Sequence, residues 1–204
     1  MTNYMKYSMA STLLLLFVSC SGQSKDKQVA DTTNNEQMTH FELSPETAHP
    51  RAKELMNEDF YWSPVEETGP FGSDDGSDAF YGFLEWRAGN KATSPVVFIK
   101  ELIQDWGYPP FDLNEMNEAN LREYASSSSV GARALTGQDN AILAVGFGQF
   151  VLEGRIDEDL KVLTRTAINR ELLPSMISMW DGEYGRIRSE QLKHMLATVE
   201  QMNK

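Results

Sequence analysis

One cysteine, Cys20, stands in 204 residues, so the chain can close no disulfide on itself. The three histidines, His40, His49 and His194, are far apart, and no H-E-x-x-H pair is present to hold a zinc ion. G-x-S-x-G, the P-loop and G-x-G-x-x-G are missing too; Gly146-Phe147-Gly148 is only a fragment of the last. No cofactor is therefore implied. Basic residues are few: 18 Lys and Arg face 30 Asp and Glu, for a net charge of −12. So acidic a surface disfavours nucleic acid, which needs a basic face, and is repelled by bare anionic lipid. The strongest apolar run, Leu13–Val18, is too short to span a bilayer as a helix.

What the chain does have is bulk. It is 41% apolar and 24% charged, with ten Phe, seven Tyr and four Trp. That suffices for one domain with a real core and argues against wholesale disorder.

The apolar run lies just behind Lys6 and fits the h-region of a signal peptide. Phe17-Val18-Ser19-Cys20 resembles a bacterial lipobox, with a small residue before the cysteine and Phe17 where Leu is usual. The resemblance implies cleavage before Cys20 and acylation of that residue. Several acyl chains anchor stably where one does not. The expected place is the bacterial cell envelope, at the outer membrane or the periplasmic face, with the membrane as a partner through Cys20. Loss of residues 1–19 removes one positive charge, Lys6, and takes the net charge from −12 to −13. An ordinary cleaved signal peptide with an incidental cysteine is the alternative. Residues 21–44 are polar with no apolar period, as in a flexible tether. The expected organisation is a signal peptide over 1–19, a tether over 20–44 and a domain over 45–204.

The domain is organised around Thr68-Gly69-Pro70-Phe71-Gly72-Ser73-Asp74-Asp75-Gly76-Ser77-Asp78. Gly69-Pro70 sets a turn. Asp74, Asp75 and Ser77 can cap a helix beginning near Ser77, and Asp78 suits the positive end of its dipole. Phe80, Phe83 and Leu84 share one helical face, and Gly89-Asn90 ends it. Gly69, Phe71, Asp74 and Asp78 resemble the opening W-G-x-G-x-F-x-N-D-x-A-x-D of domain-of-unknown-function family 4259. Ser73 stands for its Asn, Gly76 for its Ala, and Glu66-Glu67 for its Trp-Gly. Ala167-Ile168 through Leu173-Pro174-Ser175 to Trp180-Asp181 resembles the run that family carries near its end. The resemblance spans roughly residues 66–200 and implies no activity, because the family has none assigned.

The remaining periodicity predicts an all-α domain of about seven helices. A short helix is expected from Ser44 to Phe60. Ser94-Pro95 caps the next, with Val96, Val97, Ile99, Leu102, Ile103 and Trp106 expected inward; a strand over 96–99 is the alternative. Asp112 caps a helix to about Ala125. The serine run Ser126–Ser129 and residues 131–137 read as a loop inserted near 108–137. Asp139-Asn140 then opens an apolar central helix that Gly154 ends, with Gly146 and Gly148 suggesting close packing. Asp157 caps a helix with Leu160, Leu163, Ala167 and Ile168 inward, Pro174 restarts a short one, and Ser189 caps the last, with Leu192, Met195, Leu196 and Val199 inward.

Asp74, Asp75 and Asp78 are the one carboxylate cluster suited to a hard cation. Counted as an EF-hand from Asp74, however, the loop has Gly76 where a ligand belongs and Ala79 where glycine belongs. Helix capping is the simpler reading. Glu66-Glu67 beside them lack a second element for acid–base work. His194, four residues after Glu190, suits a surface ion pair. Arg186-Ile187-Arg188 reads as a basic spot in a solvated loop, with a carboxylate or a lipid head group as the alternative partner. The four tryptophans read as core. Two functions remain: a non-enzymatic binding or interaction lipoprotein with an unidentified protein partner, of which an acidic immunity-type protein is one form, or an envelope metal protein or hydrolase using Asp74, Asp75 and Asp78.

Overall fold

The computed structural model describes residues 41–180 and 182–204. The signal peptide, Cys20, His40 and nearly all of the tether lie outside them.

His49 opens α1, Pro50–Leu55. Its Nδ1 accepts from the Arg51 N–H at 3.2 Å. Pro50 occupies the first turn and pushes His49 into an extended conformation, ψ 140°. This is why no helix runs unbroken from Ser44 to Phe60; a 3-10 turn, Asp59–Tyr61, follows separately. Helix α2, Asp74–Gly89, begins earlier than the sequence suggests and on a different cap. The Ser73 Oγ accepts from the Gly76 N–H at 3.1 Å, and neither Asp75 nor Ser77 holds the end. Asn90 terminates it.

Helix α3, Pro95–Asp105, starts as expected. Ser94 accepts from the Val96 N–H at 3.2 Å and Pro95 fills the first turn. The strand alternative over 96–99 falls. Asp112 forms a local turn, accepting from the Asn114 N–H at 2.9 Å. The cap of α4, Glu118–Ser126, is Asn117, which accepts from Ala119 at 2.9 Å and Asn120 at 3.3 Å.

The largest correction concerns the expected insertion. Residues 131–137 are the first two turns of α5, Gly131–Glu153, not a loop. Asp139 and Asn140 lie buried inside that helix and do not open it. Gly131 and Gly137 read as loop residues, yet helix packing overrides their low propensity: a side chain at Gly137 would meet Arg133, Tyr108 and Asp75. Gly154, at φ +65°, closes the helix in the left-handed conformation. Helix α6, Glu158–Glu171, follows Asp157, and α7, Pro174–Ile177, restarts on Pro174. The last helix, α8, Gly182–Gln201, places Ser189 in its second turn and not at its cap. Arg186 and Arg188 are therefore helical, not loop residues.

Among the described residues there are eight α-helices and no strand. The domain is all-α. Helix α5 is the axis, buried nearly all round, with α1, α2, α3, α4 and α6 packed on it and α8 laid on α6. The α2–α5 and α5–α6 seams are close because Gly146 and Gly148 let backbones approach. A Cβ at Gly146 would run into the Thr164 hydroxyl, and one at Gly148 would lie 2.9 Å from the Phe80 ring. Phe71 is 2% exposed, its ring centroid 4.7 Å from that of Phe80, so the turn before α2 is pinned to the core. Tyr61 anchors α8 to the 3-10 turn through a 2.8 Å hydrogen bond with Thr198.

Candidate functional site

A buried ionic layer joins α5, the C-terminal end of α6 and α8. The Arg170 guanidinium and the Asp139 carboxylate are both fully buried and pair bidentately. Arg170 also donates to the main-chain oxygens of Leu113 at 2.9 Å and Glu115 at 3.0 Å. One helical position further along α6, Glu171 accepts from Arg188 at 2.6 and 2.9 Å. Arg188 also donates to the Thr68 carbonyl and the Asn140 Oδ1, each at 2.9 Å. Burial works against the Arg188 cation, but the Glu171 charge and hydrogen bonds outweigh it and hold the guanidinium above its ordinary range. Burial pushes the Asp139 carboxyl up to about 6 against the pull of Arg170.

Above this layer opens a cleft of about 620 Å³, whose floor includes Asn140 and Arg188. One wall is the organising turn and the start of α2: Glu67, Ser73, Asp74 and Asp75. A second is the first turns of α5, Ala132, Arg133 and Thr136. The third is Met179, Trp180 and Tyr184, where α7 passes into α8. The rings of Trp180 and Tyr184 lie 5.1 Å apart, and both side chains are half-buried.

Asp75 does not cap its helix. It takes both Arg133 nitrogens and accepts from the Tyr108 hydroxyl at 3.0 Å. Both Asp75 oxygens are thus taken up by a guanidinium and a phenol. Asp74 stays exposed on the rim, and Asp78 is exposed further along α2, away from the cleft. Among the described residues no three His, Cys, Asp or Glu side chains come together in an arrangement able to hold a metal. Glu66 turns to the Thr68 hydroxyl, leaving Glu67 alone at the cleft. His194 pairs with Glu58 at 2.6 Å and not with Glu190, which Arg186 holds at 2.8 Å.

The motif residues divide accordingly. Gly69 shapes the turn, its N–H donating to Glu66 at 2.8 Å; Phe71 enters the core; Asp74 and Trp180, more than a hundred positions apart, meet at the same cleft. Sequence reasoning missed Arg133, Asn140, Tyr184, Arg188 and the pairs beneath them. A signal for Arg188 existed: it precedes Leu192, Met195 and Val199 at spacings of four, three and four, on the buried face of α8.

No protein-family model matches this chain, and no solved structure matches it. A similar protein is the uncharacterized protein YfeS of Escherichia coli K12, 27% identical over 158 residues. The match covers 76% of this chain and 63% of that protein, so the chain spans less than two thirds of its relative's length.

Proposed function

We propose that this chain is a non-enzymatic binding lipoprotein of the bacterial envelope, acylated on Cys20, whose helical domain presents the cleft between α2, α5 and α8 to a partner. The observation that carries the reading is the division of labour in the cleft. Its guanidinium groups and their carboxylates are spent on one another, while Trp180, Tyr184 and Met179 line the open side. Asp75 and Glu171 are held by arginines, and Glu67 and Asp74, which stay open at the cleft, have no histidine or lysine in its lining to complete acid–base work. Half-buried aromatics beside polar groups are what a recognition pocket needs. Asp74 and Trp180, both in the runs that resemble domain-of-unknown-function family 4259, come together at this cleft.

Capture from the organism's own envelope tests it. The tagged mature protein should retain a partner that Trp180→Ala releases at an unchanged melting temperature. Equal capture by both proteins contradicts the role of the cleft. The alternative, a metal protein or hydrolase, gains ground if the purified protein carries stoichiometric metal that Asp74→Ala loses. For the anchor, Cys20→Ala should move the protein from the membrane to the soluble fraction, and full retention with membranes contradicts acylation.

A further inference from the structure

The charges around the cleft do not balance. Arg133 is answered by Asp75 and Arg188 by Glu171. Glu67 and Asp74 remain, both exposed and accepting no hydrogen bond among the described residues, although the Asp74 charge also reaches Arg133. Facing them are the Trp180 and Tyr184 rings. The Glu67 charge reaches Tyr184: burial raises the phenol first, Arg188 opposes, and Glu67 adds to the rise. A second observation lies on the floor. Asn140 is 8% exposed, and its Oδ1 accepts from Arg188, which can only donate. Its Nδ2 is thereby fixed toward the remaining space and has no hydrogen-bond partner among the described residues. The cleft offers two carboxylates, an aromatic wall and one amide donor open to the cleft.

Resting on the binding role above, we infer that the cleft receives a basic peptide segment of a partner protein. A lysine or arginine side chain lies against Trp180 and Tyr184 between Glu67 and Asp74, and a main-chain carbonyl of the same segment accepts from Asn140 Nδ2. A cation over an aromatic face is attracted by the ring and by the carboxylates together. The overall charge of −12 draws a basic partner in and repels acidic ones. A simple polyamine satisfies the carboxylates but, having only donors, brings no acceptor for the Asn140 amide.

Calorimetry on the full mature chain carrying Cys20→Ala tests this with three probes: acetyl-Gly-Arg-Gly-amide, the same peptide with neutral citrulline for arginine, and spermidine. The arginine peptide should bind at least roughly tenfold more tightly than the citrulline peptide, a difference of about 1.4 kcal/mol. The Glu67→Gln, Asp74→Asn double variant, which changes only exposed carboxylates, should erase that difference. Equal binding of the citrulline peptide, or no binding of the arginine peptide at millimolar concentration, overturns the inference while partner capture through Trp180 still stands. Spermidine binding as tightly as the arginine peptide overturns the peptide assignment. Capture indifferent to Trp180→Ala overturns the underlying role instead.

Discussion

Ser73 and Asp75, two positions apart, answer different physical demands. Ser73 satisfies a free N–H of the first turn of α2, whereas Asp75 neutralises Arg133 and holds Tyr108. Both are good cap types, and sequence could not rank them, because the choice depends on Arg133 arriving from α5. Ser73→Ala should cost about 0.5–2 kcal/mol in a denaturant titration. Asp74→Ala, exposed and without a capping bond, should cost less than Ser73→Ala. Phe71→Ala removes a ring packed on Phe80 and should cost about 3–5 kcal/mol. An effect of Phe71→Ala below about 1 kcal/mol, the range of ordinary surface changes, would mean that the turn is not pinned to the core.

Helices were legible where their ends carried local chemistry. Ser94-Pro95, Pro174 and Gly154 act on their own backbone, and the structure places those boundaries where the residues put them. Boundaries failed where tertiary packing decided them. The start of α5 holds two glycines and Thr136, poor helix formers, yet it is helical because it packs on α4 and supplies Arg133 to Asp75. The ionic layer was hidden for a related reason: a charge on a helix reads as solvent-facing, and only the neighbouring helix supplies its partner. Arg188→Ala leaves Glu171 buried without a counter-ion and should cost about 3–5 kcal/mol; the Arg188→Met, Glu171→Met double variant should cost less than Arg188→Ala alone. In the same way Gly146→Ala drives a methyl into Thr164 and should cost about 1–3 kcal/mol, with Thr164→Ala recovering part of it.

For the whole molecule, the all-α class and the central apolar helix were readable from periodicity, whereas the cleft was not, since its walls come from residues 67–75, 132–140 and 179–188. Stability should depend on pH on the alkaline side. Burial is the main cause that raises the Tyr61 phenol above its ordinary value of 10.0. A raised pKa means the folded state keeps its proton, so this contribution is complete below about pH 10 and is lost as pH rises toward the folded value. Unfolding free energy should therefore fall above pH 10, and Tyr61→Phe should flatten that limb. An identical limb in the variant would assign the loss elsewhere.

The cleft account is tested most directly by nuclear magnetic resonance of the mature chain titrated with acetyl-Gly-Arg-Gly-amide. The account predicts that the Trp180 indole N–H and the Asn140 side-chain NH₂ move together and saturate on one isotherm, while signals of α3 stay still. Shifts spread evenly over the acidic surface, or an Asn140 side chain that does not respond, would contradict it.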